Sequence, residues 1–204
     1  MTSRVLLVSP ASSPALRQAR FYDGLGALDA SGAARARAAA DDLPRAERVV
    51  RSPGARCQET AVELGLAAAE LPELAGLDAG RWRGRTLEEV GGAEPEAVMR
   101  WLTDPDSAPH GGESVRALCQ RVGAWLESAR EGARTLAVVE PDVVRAVVVH
   151  ALALPPETFW RLDAAPLTVT ELSGRSGRWN LRLGRPLGGD ATPPPESGRS
   201  RTGQ

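Results

Sequence analysis

The chain has 204 residues, of which 42% are hydrophobic and 25% charged, a composition typical of one folded domain with or without a tail. Its 25 basic and 26 acidic residues leave a net charge of -1, which provides no electrostatic basis for binding nucleic acid or an anionic membrane. The apolar stretches are far shorter than the roughly 18 residues of a membrane span, and the first of them is too short for a signal peptide, so we expect a cytoplasmic protein.

Four elements are predicted in the first half of the chain, alternating between strand and helix. The strands are short apolar runs, and the helices begin at residues that favour a cap or a first turn. In chain order they are a strand over 5–8, a helix over 32–43 preceded by Asp29, a strand over 49–50, and a helix from Pro53 to about Leu64 with Ser52 as its cap. An irregular stretch with several glycines follows over 75–92, and a short helix is predicted over 95–102.

The second half contains the clearest helix, because apolar residues recur at helical spacing over 113–130. A third strand over 136–139 leads into a helix over 143–154 that is apolar on nearly every side and is therefore expected to be deeply buried. Two alternating segments, 167–172 and 178–183, predict a terminal hairpin. We expect a domain over 1–185 and a disordered tail rich in Gly, Pro and Ser over 186–204.

Short apolar strands that alternate with helices predict an α/β fold, a three-layer α/β/α sandwich with a mostly parallel central sheet. Ligands of such folds bind beyond the carboxyl ends of the strands, which are here the loops after Val8, Val50 and Val139. Cys57 and Cys119 lack CxxC spacing, so neither a zinc ribbon nor a redox pair is indicated, and both are expected to be buried thiols.

All basic residues are arginine, whereas lysine and isoleucine are absent and Asn180 is the single asparagine. The missing amino acids need A/T-rich codons, so this bias is typical of a bacterial genome of high GC content and does not by itself indicate an arginine-based binding surface.

Five short motifs occur in an order and at spacings that match one known family. They are 51–61 for the segment SSPxxRxxxTA, 78–84 for DFGxWEG, 111–114 for GGES, 143–146 for VIRA, and Arg20-Phe21 with 28–32 for RF…PLTxxG. On these motifs the chain resembles the histidine phosphatase superfamily over roughly residues 4–184, in the phosphoglycerate-mutase-like branch that includes the α-ribazole phosphatases. The resemblance implies a phosphoglycerate-mutase-like fold.

The same resemblance implies a catalytic set that this chain has largely lost. The family works with a nucleophilic histidine in an Arg-His-Gly triplet after the first strand, a second histidine after the third strand and an acid that donates a proton. The corresponding positions hold Ser9, Pro10, Gly76 and Glu140, and Arg56 is the one that is retained. Proline has no nucleophile or donor, and a carboxylate repels a phosphoryl group, so we expect no phosphatase machinery.

The candidate pocket residues are Arg56, Glu140, Ser9, Ser12, Arg20, Arg83 and His110. We expect His110 to be an exposed loop histidine, and His150 to be a satisfied histidine of the buried helix about 15 Å from the pocket. Glu140, Asp142 and His110 would be needed for a metal site. Two carboxylates at this spacing are common by chance, so neither a metal nor a cofactor is expected.

Two kinds of function remain open, because a fold does not decide function. The first is a non-catalytic protein whose remodelled pocket binds a small anionic ligand or a protein partner, including a second copy of the chain as a homodimer. The second is an enzyme with other chemistry in the same cleft, with Glu140 as general acid or base and Arg56 orienting an anionic substrate. An active phosphomonoesterase or mutase is the third alternative. We expect Arg56 and Glu140 to form a direct, partly buried ion pair with two parallel bonds that closes the former anion site, whereas side chains that lie apart in an open cleft would favour the enzyme.

Overall fold

A six-stranded sheet runs through the molecule, and the computed structural model describes residues 2–129, 131–175 and 177–188. The strands are β1 (Ser3–Val8), β2 (Arg48–Arg51), β3 (Ala69–Glu70), β4 (Arg134–Val138), β5 (Thr168–Arg175) and β6 (Arg178–Pro186). Their order across the sheet is β3-β2-β4-β1-β5-β6. The first four are mutually parallel, whereas β5 and β6 are antiparallel to their neighbours and form the predicted terminal hairpin.

Helices cover both faces of this sheet and give the predicted three-layer α/β/α sandwich. They are α1 (Pro14–Arg17), α2 (Ala30–Ala38), α3 (Ala55–Glu63), α4 (Leu87–Ala93), α5 (Pro95–Thr103), α6 (Val115–Glu127) and α7 (Pro141–Ala151). Val5 and Leu7 pack into the core under α6 and α7, whereas Leu6 and Val8 enter the core under α2 and α3. The two cores separate because successive side chains of a strand point to opposite faces.

The helix predicted over 32–43 is shorter than expected. Asp29 caps α2 through a bond from the Gly32 N–H, as predicted, but α2 ends at Ala38 and a 3₁₀ turn covers Ala40–Asp42. Leu43 is extended with ψ of 132°. The residue before a proline is disfavoured in the helical region, and Pro44 therefore excludes Leu43 from the helix predicted to include it.

The predicted start of the next helix is wrong by two residues. Gly54 is the N-cap of α3 and Ala55 its first residue, so Ser52 does not cap the helix. Instead, the Ser52 hydroxyl is buried and donates to the backbone carbonyl of Leu74. A partner 22 residues away in sequence has replaced the local bond that would have capped the helix.

Three short elements of the structure are absent from the sequence prediction. They are α1, β3 and α4, of which β3 has only two residues. The helix predicted over 95–102 is α5, and both cysteines are free and buried as predicted. None of the helices within the described ranges combines the length and the apolar character that crossing a lipid bilayer requires.

The folded part extends beyond the predicted boundary after residue 185. Pro186 is the last residue of β6, Leu187 is only 4% exposed, and the Gly188 N–H donates to Asp42. The remainder of the predicted tail, 189–204, lies outside the described residues.

Leu187→Ala is expected to destabilise the protein by about 2–5 kcal/mol, because it removes a side chain that is buried in the core beside α2. Leu25→Ala is the matched control, since Leu25 is 82% exposed and its loss should change the free energy of unfolding by less than about 0.5 kcal/mol. Urea unfolding of both variants measures the difference. If the two variants unfold at the same free energy, the Leu187 side chain does not belong to the core.

Candidate functional site

A cleft of about 630 Å³ lies beyond the carboxyl ends of β2 and β4, where the parallel arrangement of the strands predicts a ligand site. The loop after β2, the loop after β4 and the segment between β3 and α4 all contribute to its wall. Its charged lining residues are Asp23, Arg56, Asp78, Arg83, Glu113, Arg121, Glu140 and Asp142.

Arg56 and Glu140 form the predicted ion pair at the base of the cleft. Arg56 lies in the first turn of α3 and Glu140 is the N-cap of α7, so the two helix starts place the side chains together. Arg56 Nε donates to Glu140 Oε2 at 2.5 Å, and Nη2 contacts the same oxygen. The two parallel bonds that we expected are therefore absent: both donors share one oxygen, and Glu140 Oε1 has no hydrogen-bond partner among the described residues.

Burial dominates the electrostatics of this pair. The side chains are only 8% and 2% exposed. Burial raises the pKa of Glu140, an effect that the charge of Arg56 opposes. Burial by itself would lower the pKa of Arg56, but the neighbouring Glu140 carboxylate raises it overall. Arg56 therefore stays charged, and Glu140 is the counter-ion of a cation that is shielded from water.

Tyr22 covers the face of this guanidinium, a role that the sequence analysis missed. Arg56 Cζ lies 4.0 Å from the centre of the Tyr22 ring. The Tyr22 hydroxyl accepts a bond from the Arg56 backbone N–H at 3.0 Å and donates to the Gly26 carbonyl at 3.2 Å. The one sequence signal was its position directly after the Arg20-Phe21 motif.

Gly54 makes this arrangement possible. A Cβ at residue 54 would lie 2.7 Å from Glu140 Oε1 and 2.8 Å from Tyr22 Cε1, both shorter than real contacts of a Cβ. Any side chain there would displace the carboxylate or the ring. Arg56 is thus enclosed by Glu140 at its edge and by Tyr22 on its face.

Tyr22 is the single tyrosine of the chain, so its ionisation can be followed directly by absorbance near 295 nm. Burial raises the pKa of its hydroxyl from 10.0 to about 12, and we expect the folded protein to titrate there. Because the folded state keeps this proton longer than the unfolded state, stability should fall as pH rises from 10 to about 12.

Tyr22→Phe is the control for this measurement, since it should remove the absorbance change and the part of the stability loss that is due to the phenol. A folded protein that titrates near pH 10.0, the ordinary value, would contradict the enclosed position of the ring.

Gly76 stands where the resemblance places the catalytic acid, and neighbouring carboxylates occupy the space in front of it. A Cβ at residue 76 would lie 3.2 Å from Glu140 Cγ and 3.2 Å from Asp142 Oδ2. The Asp142 carboxylate accepts bonds from the backbone N–H groups of Leu77 at 2.6 Å and Val143 at 2.8 Å. A side chain at residue 76 would therefore press against Glu140 and Asp142.

Each arginine of the cleft is paired with a carboxylate. Arg83 contacts Asp78 at 2.7 Å, and Arg121 binds both oxygens of Glu113 at 2.9 and 2.7 Å. Within the described part of the chain, the remaining lining carboxylates, those of Asp23 and Asp142, form no ion pair. Three arginines thus face five carboxylates, and the cleft carries a net negative charge.

The loop after β1 contributes nothing to the described lining of the cleft. Ser9 and Pro10 are buried, and the Ser9 hydroxyl has no hydrogen-bond partner in the described residues. The Ser12 hydroxyl accepts from Arg17. Two helices hold this loop: the α3 residue Thr60 accepts from the Ala11 N–H at 3.0 Å, and α2 packs against the Ser12 backbone through Gly32.

Arg20 and His110 do not belong to the described lining of the cleft. Arg20 bonds to Gln18 and to the Gly84 carbonyl. His110 is buried, not exposed as predicted, because its ring packs 5.0 Å from that of Trp82, measured between centres. Its Nδ1 accepts from the Gly112 N–H at 3.0 Å, and burial lowers its pKa, so the ring is neutral at pH 7.

His110 is not among the residues that line the cleft with Glu140 and Asp142. The described residues contain no group of three or more His, Cys, Asp or Glu side chains that could hold a metal ion. His150 contacts Glu127 at 3.1 Å on the surface of α7, as expected for a satisfied histidine.

Comparisons with known proteins support the family assignment. The family model described as "Histidine phosphatase superfamily (branch 1)" matches residues 22–185. A bifunctional protein of Mycobacterium tuberculosis, Rv2228c, is 32% identical over 182 residues, which cover 82% of this chain but only 50% of that protein. The chain thus spans about half the length of the mycobacterial relatives it matches. Phosphoserine phosphatase 1 of Hydrogenobacter thermophilus is 30% identical, with 76% of this chain and 80% of that protein covered.

Solved structures share the fold. A mycobacterial glucosyl-3-phosphoglycerate phosphatase superimposes with a TM-score of 0.78 at 26% identity, covering 88% of this chain and 97% of its own. A putative α-ribazole-5'-P phosphatase of Escherichia coli has a TM-score of 0.79 at 21% identity, covering 90% and 96%. With the match over 22–185, these similarities show that the chain belongs to branch 1 of the histidine phosphatase superfamily.

Proposed function

We propose that this chain is a catalytically defective member of the superfamily, a pseudophosphatase that binds a ligand or a partner instead of hydrolysing a phosphomonoester. The observation that carries the proposal is the buried contact of Arg56 with Glu140. The one arginine retained from the family's set binds a carboxylate of its own chain. A substrate phosphate would have to displace that carboxylate and would meet its charge.

The side chains around the cleft support the same proposal. Covalent phosphoryl transfer needs an activated nucleophile. The described residues that line the cleft include no His, Cys, Ser or Thr. Pro10, at the position where the resemblance places the nucleophile, is buried and can supply neither a nucleophile nor a base.

Repurposed chemistry with Glu140 is the second candidate. The raised pKa of Glu140 and the volume of the cleft favour it, since general acids are tuned in this direction. However, a general acid must lie within hydrogen-bond reach of its substrate. Glu140 is 2% exposed and holds Arg56, so we prefer the binding role.

The net negative charge of the cleft does not favour the small anionic ligand that the sequence analysis expected at this place. We propose that the cleft is a remnant of the phosphate site in which Glu140 takes the place of the phosphate beside Arg56, and that binding of a ligand or of a protein partner, including a second copy of the chain, involves other surfaces.

The test is an assay with p-nitrophenyl phosphate, phosphoglycerate, phosphoserine and α-ribazole phosphate, together with a search for an acid-labile phosphoenzyme. We expect no turnover above background, because removing a nucleophile alone has cost about 10⁶-fold in a protease. Arg56→Ala is the control, since activity that persists in this variant comes from a contaminant. A turnover number of about 1 s⁻¹, typical of a working enzyme, that is lost in Arg56→Ala would refute the proposal.

A further inference from the structure

The face of the sheet that carries Leu6 and Val169 has a cluster of positive charge that the cleft lacks. Arg4 at the start of β1, Arg134 at the start of β4, and Arg182 and Arg185 on β6 line a cavity of about 210 Å³, which we call the arginine site. Glu171 is the one acidic residue in its described lining. Four guanidinium groups around one carboxylate leave a net charge of about +3 in a protein whose overall charge is -1.

Protein groups neutralise this charge poorly. Glu171 lies 3.5 Å from Arg4 Nη1 and 3.7 Å from Arg182 Nη1, and these arginine side chains are 50% and 80% exposed. Arg134 and Arg185 donate to backbone carbonyls at 3.2 and 3.1 Å and form no ion pair within the described residues. The arginines of the cleft, in contrast, are bound closely by carboxylates.

The strand register adds a second, independent observation. Arg4 and Arg134 are direct partners in the parallel pairing of β1 with β4. Like charges on neighbouring strands destabilise a sheet. Two arginines at such a position repel each other, and an anion that lies between them would relieve the repulsion.

The surroundings of the site suit a small ligand. Leu6 and Val169 are buried and form an apolar floor between the arginines. An adjoining cavity of about 430 Å³ shares Arg4 and Arg134 and adds Arg45 together with Glu47, so its added charges cancel. Guanidinium groups match phosphate oxygens through paired hydrogen bonds. The net charge of the whole chain does not favour a long polyanion such as nucleic acid.

We propose that the arginine site binds a small anion with two or more phosphate groups, the chemistry of a pyrophosphate. This is a second site, distinct from the cleft: it lies on a face of the sheet and is lined by residues of β1, β4, β5 and β6, whereas the Arg56–Glu140 pair lies beyond the carboxyl ends of β2 and β4.

The experiment measures binding of inorganic pyrophosphate by calorimetry and by its effect on Tm, at about 0.05 M salt, where exposed charges are weakly screened. We expect saturable binding that raises Tm. Arg134→Gln should weaken binding about tenfold, as expected for the loss of one charge-assisted contact, yet raise the Tm of the ligand-free protein because repulsion from Arg4 is relieved. A merely structural role of Arg134 would not produce opposite changes in affinity and stability.

Two further variants complete the test. Glu171→Gln should bind pyrophosphate more tightly, since it removes the competing carboxylate. Arg100 is an exposed arginine of α5 outside the site, and Arg100→Gln should change neither the affinity for pyrophosphate nor the Tm.

Equal effects of Arg134→Gln and Arg100→Gln on affinity and Tm, or no saturable binding by the wild type, would overturn the proposal. Tighter binding of a single-stranded oligonucleotide or of anionic vesicles than of pyrophosphate would overturn the assignment to a small ligand. The phosphatase assay reports separately on the proposed function.

Discussion

Glu140→Ala is expected to destabilise the protein by about 3–5 kcal/mol and at the same time to create a site for phosphate or sulfate beside Arg56. The destabilisation follows because Arg56 is 8% exposed and would remain charged without its counter-ion. An anion that binds in the vacated space replaces the carboxylate and stabilises the folded state in proportion to its concentration.

Thermal and urea unfolding, with and without phosphate, measure both effects. Glu140→Gln is the matched control, because the amide oxygen can still accept from Arg56 and the variant should lose less stability than the alanine variant. Phosphate should raise the Tm of Glu140→Ala and leave that of the wild type nearly unchanged. If the alanine variant is as stable as the wild type and does not respond to phosphate, the carboxylate does not act as a substitute for bound phosphate.

Pro10→His should remain inactive under the proposed function, although it introduces a histidine where the resemblance places the nucleophile. Catalytic residues act as a unit, and in a protease the loss of one of them costs about as much as the loss of the whole set, roughly 10⁶-fold. On the same resemblance, Ser9, Gly76 and Glu140 would still lack the clamp, the proton donor and the second imidazole. In addition, α2 and α3 pack on the loop that holds residue 10, through Gly32 and Thr60.

A second set of variants tests the contact between residues 76 and 140. Gly76→Glu should destabilise the wild type, because its Cβ would meet Glu140 Cγ at 3.2 Å and its carboxylate would face two others. Combining it with Glu140→His should recover part of the lost stability, as measured by urea unfolding of the single and double variants. Turnover near 1 s⁻¹ by Pro10→His alone would show that the other replacements are harmless.

The elements that the sequence predicted well are those that rest on neighbouring residues. The apolar spacing of α6, the Asp29 cap of α2 and the alternation of the terminal hairpin are local patterns, and each appears in the structure. The helix α4 was missed even though its signal is local, a capping box formed by Thr86 and Glu89. That miss was an error of interpretation and not a limit of the sequence.

The misplaced residues depend on partners far along the chain. Ser52 has the right chemistry for a cap, but the carbonyl of Leu74 takes its hydroxyl. His110 follows a proline in what looks like a loop, yet the ring of Trp82 buries it. Neither partner can be identified from the residues on either side, because contacts between distant segments depend on how the elements pack.

The sequence by itself determined the fold class and the family, since these depend on short-range patterns and on the order of motifs. The expectation that Arg56 and Glu140 meet, across 84 residues, came from matching their positions to the motifs of the family. Only the tertiary structure decided that both guanidinium donors share one carboxylate oxygen, that Tyr22 covers them, and that the arginines from three strands line one cavity on a face of the sheet. Side-chain geometry and summed charge depend on distances in space, and residues far apart in the sequence acquire those distances only when the chain packs.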